Sequence, residues 1–422
     1  MYSFFFYGLL SLLLLPLAGI LQIFGGFDYT NSLDITIALR YTQLVLILLI
    51  CFTAYLVYKL SKHLGYRDGT AKWAAYLYMA SPLTIFADAV FWQYDVVTLV
   101  FFIIALGFYI NHDLTKFSLI MAIAITCKMF ALFAFIPLIL FAEKRVVHII
   151  KHLAIGVSLT AVSELVAHKM KGYGVAKALR SHLTDKLTDN GIAYSFGYVS
   201  LSLIALAGIA IYAYMITAKS EADFKHQSLY ITFISLAAPF ALFFANTYWW
   251  ILVVPFGAIL IAGHPKVKEL MVLVSGFFVF LIITSVLVFK YYMDQDMVNG
   301  GLFAKVFGVR YSGKPSFYSL AESRNIADPN VFYAFALALL FAVFVILWKK
   351  TGHELFLAPK EIPAVSDHPQ ELSATDSPEQ SATAYQTVVK LIPDSAVYLY
   401  NLAIYTYILP SLLLFTRELL LK

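Results

Sequence analysis

Apolar runs of about 18 residues or more recur along the whole chain, each long enough to cross a bilayer as a helix. In lipid the backbone must satisfy its own hydrogen bonds, and helices do so within one segment. The 422 residues are 61% hydrophobic and 13% charged, against roughly 25% charged in an ordinary soluble domain. The sequence therefore predicts an all-α, polytopic transmembrane helical bundle with about 11–13 membrane segments. The net charge of +5 sits in short loops and calls for no nucleic-acid partner. Cys51 and Cys127 both fall in apolar segments, so neither a disulfide framework nor a metal knuckle is indicated. The first run, Phe4 to Phe24, lacks the basic flank and small-residue cleavage site of a secretory signal.

Taken in order, the expected segments are Phe4 to Phe24, Ile35 to Leu60, Trp73 to Ala87 with a kink at Ser81-Pro82, and Val96 to Ile110. Phe117 to Ala142 is split into two short helices meeting at Lys128, because one continuous span would strand an ammonium in lipid. Further segments fall near Val147–His168, Phe196–Ala218, Leu229–Phe244, Trp249–Ala262, Leu270–Phe289, Val331–Trp348 and Leu391–Leu414. Lysine and arginine in short loops set the orientation. Lys59, Lys62, Arg67 and Lys72, the Lys144-Arg145 pair, Lys219 and Lys225, Lys266 and Lys268, and Lys349-Lys350 all fall on the cytoplasmic side. The loops 25–34, 170–195 and 290–330, the Trp92–Asp95 cluster, and the turns at Lys128 and Asn246–Tyr248 then face outward.

Four regions follow: a transmembrane module over 1–262, further transmembrane helices over 263–348, a flexible cytoplasmic linker over 349–390, and a terminal span over 391–422. The linker is rich in Pro, Ser, Glu and Ala and buries too little apolar surface to order itself. Two outer loops are basic: Lys171, Lys177, Arg180, His182 and Lys186 in one, Lys305, Arg310, Lys314 and Arg324 in the other. Cations on the side where the positive-inside rule expects few suit an anionic partner such as a phosphate. Neighbouring acids, Asp185, Asp189 and Glu322, offer the plainer reading of solvated loops.

The chemistry-bearing constellation lies between Ala87 and Arg145. A polar cluster, Trp92-Gln93-Tyr94-Asp95, separates two apolar runs, and Lys128 interrupts the next one. Ionisable groups in or at the rim of a membrane are costly and mark substrate or ion pathways. Asp95 alone is equally well read as the cap of the helix it precedes; its combination with Gln93 and Lys128 favours function. No P-loop, GxGxxG, HExxH or GxSxG motif is present. Most histidines fall near the cytoplasmic side, Glu164 at a span's outer rim, and Arg40 where it would snorkel or bind a phosphate.

At FADAVFWQYDVVTLVFFIIALGFY the chain resembles the GT-C superfold of multi-spanning glycosyltransferases. Trp92, Gln93, Tyr94 and Asp95 match that family's tryptophan-glycine-glutamine-x-aspartate signature without its glycine. Cys127-Lys128-Met129-Phe130, the second segment ending in basic residues, and Asn246-Thr247-Tyr248-Trp249-Trp250 extend the likeness over roughly the first 260 residues. The resemblance implies hexose transfer from a polyprenyl-phosphate-linked donor to a glycan, lipid or protein acceptor, at the extracytoplasmic face of the cell membrane. It implies substrate binding by Trp92, Gln93, Asp95, Lys128, Tyr248 and Arg310, and a catalytic carboxylate at Asp28 or Asp95. The sequence shows no metal cluster, so no metal is required, and it calls for no cofactor.

The family's usual catalytic acid lies in a first outer loop, ahead of an aromatic stretch like Tyr2–Tyr7. On that order the chain begins past it, is a divergent member using Asp28 or Asp34, or is an inactive relative and membrane scaffold. Weak or absent activity of the isolated chain is the corresponding expectation. A lipid-glycan transporter is the rival class; it would show internal repeats, and none is convincing here.

Overall fold

The computed structural model describes residues 3–23, 26, 32–87, 93–169, 187, 191–194, 197–288, 308, 317–324 and 328–348. Asp28, Trp92 and Arg310, most of the two basic loops, the 349–390 linker and the 391–422 segment lie outside the described residues. The chain divides into two compact units, Met1–Ala262 and Gly263–Lys422.

The first unit is built from helices α1 (Phe4–Ile23), α2 (Ser32–His63), α3 (Asp68–Met79), α4 (Pro82–Ile85), α5 (Asp95–Ile110), α6 (Leu114–Cys127), α7 (Ala131–Ala142) and α8 (Val146–His168). A two-stranded antiparallel ladder follows, β1 (Gly191–Tyr194) with β2 (Gly197–Ser200). Then come α9 (Leu201–Met215), α10 (Glu221–Leu242), a 3-10 helix (Thr247–Leu252) and α11 (Val254–Ala262). The second unit contains α12 (Val267–Val288), α13 (Phe317–Arg324) and α14 (Pro329–Trp348). In it α12 and α14 pack closely: a Cβ at Gly276 would meet the Leu339 side chain at 2.9 Å, and Phe280 stacks on Phe335 at 5.4 Å.

The helical architecture agrees with the sequence expectation, apart from the small ladder, whose first strand lies in the expected loop 170–195 and whose second takes the start of the segment expected near Phe196–Ala218. Among the described residues four helices are long and apolar enough to cross a membrane: Asp34–His63, Val146–His168, Val267–Ser285 and Pro329–Trp348. Their large apolar side chains stay exposed, for example Leu44, Leu48, Val147, Leu165, Phe335 and Phe341. Apolar surface on that scale needs lipid around it, and the chain is a helical, membrane-associated protein.

Several expected spans are shorter than anticipated. Trp73–Ala87 is interrupted at the kink expected from Ser81-Pro82, where the Ser81 hydroxyl accepts from the Leu83 N–H and Pro82 starts a new turn. Trp249–Ala262 is a 3-10 turn followed by only nine α-helical residues. Conversely, α10 begins at Glu221 rather than Leu229. Ser220 caps it by accepting from the Asp223 N–H at 3.1 Å, and Asp223 accepts from the Lys219 N–H at 3.0 Å.

Two ends of the first unit can be told apart. Ser118 Oγ meets His152 Nδ1 at 3.1 Å and Thr126 Oγ1 meets Thr160 Oγ1 at 2.8 Å. Both pairs are offset by 34 residues, so α6 and α8 run parallel with α7 returning between them. A glycine permits close approach there: a Cβ on Gly156 of α8 would come 2.3 Å from the buried Phe135 ring of α7. One end gathers the turns after α5, α7 and α9. His112 Nε2 meets Glu221 Oε2 at 2.9 Å, and the Lys144 ammonium donates to the carbonyls of Leu140, Ala213 and Tyr214. That cation satisfies last-turn carbonyls of two helices, where a positive charge is favoured. Beside it, Glu143 accepts from the Arg145 side chain and from the backbone N–H groups of Arg145 and Lys144. These hydrogen bonds, the Arg145 guanidinium foremost, hold its carboxyl down at about 2.

The opposite end carries the start of α5 and the junction of α6 with α7. At about 1.5 Å per residue, α5, α6 and α7 are roughly 24, 21 and 18 Å long, short of the ~30 Å hydrocarbon layer. The much longer α2 passes this level near its middle. Leu49 belongs to a cluster with Phe6, Tyr94, Val97 and Cys127, and Tyr41 Oη donates to the Leu13 carbonyl where α1 runs back along α2.

Candidate functional site

Asp95 and Lys128 come together at this second end. Lys128 Nζ lies 2.8 Å from Asp95 Oδ1, with side chains 3% and 0% exposed. Each is placed by a helix boundary. Tyr94 is the residue ahead of α5, and Asp95 is its first helical residue, with no cap hydrogen bond from the residue before it. An acid in that first turn suits the helix N-terminus, but the carboxylate is engaged by Lys128 from another helix. The capping reading of Asp95 is thus replaced by a tertiary ion pair. Lys128 ends α6 with extended backbone, and the Lys128 carbonyl accepts the Ala131 N–H as α7 begins. The helix break is what lifts the ammonium out of a lipid-facing position and turns it inward.

Aromatic rings wall the ammonium. Its nitrogen is 5.6 Å from the Phe130 ring centroid and 5.4 Å from that of Trp249. Both fall within the roughly 6 Å over which a ring face attracts a cation. The two rings are 4.9 Å apart, and Phe130 also meets Phe240 edge-on at 4.9 Å. Phe240 in turn lies 6.0 Å from Trp250, which is 1% exposed. The cation therefore rests on a packed aromatic surface supplied by α7, α10 and the 3-10 helix, rather than on a mobile loop. Removing two ions from water is expensive, and only close geometry with further favourable contacts offsets that cost. Here the 2.8 Å contact and the two rings supply both.

Gln93 sits two residues before Asp95, and its backbone N–H donates to the Ala87 carbonyl at 2.9 Å. Tyr94 faces the other way, its ring 6.2 Å from Phe6 of α1. Tyr248 accepts a hydrogen bond from Asn246 Nδ2 at 2.7 Å, and its ring stands edge-on to Trp249 at 5.9 Å. Tyr248 thus neighbours the aromatic wall of the pair. Of the other candidates, Asp34 lies in the first turn of α2, Arg40 donates to Gln43 Oε1 on the exposed face, and Glu164 is half-buried in α8.

Two residues at this site were not singled out by sequence. Trp249 was part of a noted motif but not a site candidate; its role follows from the return of the 3-10 helix onto Phe130. Thr98, one turn after Asp95, is wholly buried, and its hydroxyl finds no partner among the described residues. Among those residues no three His, Cys, Asp or Glu side chains converge as metal ligands do.

Compared with protein families, curated proteins and solved structures, the chain matches none.

Proposed function

We propose that the chain is an integral membrane glycosyltransferase with a GT-C-like bundle of about 11–13 segments. In this reading it moves a hexose from a polyprenyl-phosphate-linked donor to a glycan, lipid or protein acceptor of the cell envelope. The observation that carries the proposal is the buried Asp95–Lys128 pair on its aromatic wall. Transfer from a lipid phosphate needs a carboxylate and a cation at one place inside a membrane, and this pair supplies both. A lipid-borne donor also suits the lengths of α5, α6 and α7, roughly 24, 21 and 18 Å against a ~30 Å hydrocarbon layer.

The chemistry is a substitution at the anomeric carbon. The acceptor hydroxyl oxygen bonds to that carbon as its bond to the phosphate oxygen breaks. The hydroxyl proton passes to a carboxylate, Asp95 here with Asp28 the other candidate, and such a positioned base contributes about 10²–10⁴-fold. The electron pair leaves on the lipid phosphate, whose charge Lys128 and Arg310 offset. Trp92, Gln93 and Tyr248 bind the substrate at the rim. The site then opens to the extracytoplasmic half of the membrane, while Lys144, Arg145, Lys219 and Lys225 lie at the cytoplasmic end.

A radiolabelled polyprenyl-phosphate hexose, presented with envelope lipids in reconstituted vesicles, tests this. Donor consumption, however slow, should disappear in Lys128→Gln and fall in Asp95→Asn, while Asp28→Asn reports which carboxylate is the base. Consumption untouched by both Lys128→Gln and Asp95→Asn would overturn the assignment.

A further inference from the structure

The two groups that the transfer chemistry uses separately are, in this structure, bound to each other. The Asp95 carboxylate is engaged by an ammonium at 2.8 Å, and that ammonium holds a counter-ion before any phosphate arrives. Both are buried, so water cannot take over when the contact breaks. Another charged group can release them by taking the carboxylate's place at the ammonium. A phosphate oxyanion can do this: the donor's phosphodiester carries one negative charge, as the carboxylate does, spread over two free oxygens that both accept charge-assisted hydrogen bonds.

Resting on the glycosyltransferase reading above, we infer that Lys128 exchanges partners. The donor's phosphate displaces Asp95 from the ammonium, and the carboxylate so freed becomes the proton acceptor for the incoming hydroxyl. Donor binding thereby switches on the base, and an acceptor arriving first meets a carboxylate that is occupied. Trp249 and Phe130 are positioning residues in this exchange. Their ring faces contact the ammonium without competing for its hydrogen bonds, so they hold it in place in both states. The same geometry accounts for the helix break: Lys128 lies between α6 and α7 on a short turn with Met129 exposed, and the ammonium stays over the two rings while its partner changes.

Partner exchange makes Asp95 a competitor of the donor phosphate, so removing its charge strengthens phosphate binding while removing the base. Binding is measured on the full chain in lipid nanodiscs with undecaprenyl phosphate, with undecaprenol as the uncharged control and inorganic phosphate as the soluble source. Asp95→Asn should bind undecaprenyl phosphate on the order of tenfold more tightly than wild type, and Lys128→Gln at least about tenfold more weakly. Trp249→Leu should weaken binding and Trp249→Phe restore it, a pattern that loss of packing volume alone does not give when thermal stability is followed in parallel. Undecaprenol should bind all variants alike. Stronger competition by millimolar inorganic phosphate than by the lipid phosphate would assign the cation to a soluble anion and overturn the lipid-donor exchange.

Unchanged or weaker binding by Asp95→Asn, with wild type binding normally, overturns the exchange and leaves the glycosyltransferase reading intact. Failure of wild type to bind undecaprenyl phosphate at all overturns that reading, and the exchange with it. A second measurement needs no variant: in wild type carrying isotope-labelled aspartate, infrared carboxylate bands should shift on adding undecaprenyl phosphate but not undecaprenol. Bands that stay fixed on binding mean the pair never opens, and the inference is wrong.

Discussion

Removing the ammonium at Lys128 is the perturbation whose magnitude the structure sets most sharply. In Lys128→Met the side-chain volume is nearly kept, while a carboxylate that is 0% exposed loses the cation at 2.8 Å. Stranding one member of a buried pair costs about 3–5 kcal/mol. The lost contacts with Phe130 and Trp249 add about 0.5–1 kcal/mol. The double replacement Asp95→Leu/Lys128→Met removes both charges and leaves an apolar contact in their place. It should therefore be at least about 2 kcal/mol more stable than the sum of the two single changes, because neighbouring sites do not add. Unfolding in mixed micelles, followed by tryptophan fluorescence, gives all four corners of the cycle. A cost below about 1 kcal/mol for Lys128→Met would match an exposed ion pair and refute the burial on which the site rests. Additivity of the two single changes would refute the pairing itself.

Three further outcomes follow from the scaffold. Gly156→Ala would push a Cβ into the buried Phe135 ring, now 2.3 Å from that position; overpacking of this kind costs about 1–3 kcal/mol, offset in part by alanine's better helix propensity, and thermal unfolding should show a net loss. Glu143 is held down at about 2 chiefly by Arg145, so its contribution is fully present above the ordinary carboxylate range and is lost as pH falls towards 2; Glu143→Gln should flatten that acid limb of stability and leave the neutral range almost parallel to wild type. A single cysteine replacing exposed Lys219 should resist an impermeant thiol reagent added to intact cells and react after permeabilisation, and labelling from outside would reverse the proposed orientation.

Much of the bundle was legible because hydropathy and chain breaks are local signals. A lysine in an apolar run cannot stay in lipid, which marked the break between α6 and α7 at Lys128, and the polar cluster at Gln93–Asp95 supplied its partner. The aromatic wall was not legible, since aromatic residues make up 16% of the chain and nothing local sets Trp249 apart. The short ladder at Gly191–Ser200 has four residues per strand, too few for alternation to stand out. The polar start of α10 was read as loop, although Ser220 and Asp223 carry a capping signal three residues apart. Helix lengths were the largest gap: hydropathy over Trp249–Ala262 does not tell a 3-10 turn and a nine-residue helix from a continuous span, because that turn is set by the packing of its buried aromatic residues.

The most direct test of the central claim is a cryo-electron microscopy structure of the full chain in nanodiscs with undecaprenyl phosphate bound. The account predicts lipid phosphate oxygen within about 3 Å of Lys128 Nζ, a charge-assisted hydrogen-bond distance, with the Asp95 carboxylate released and the ammonium still over Phe130 and Trp249. A phosphate bound elsewhere, with the Asp95–Lys128 contact unbroken, would contradict it.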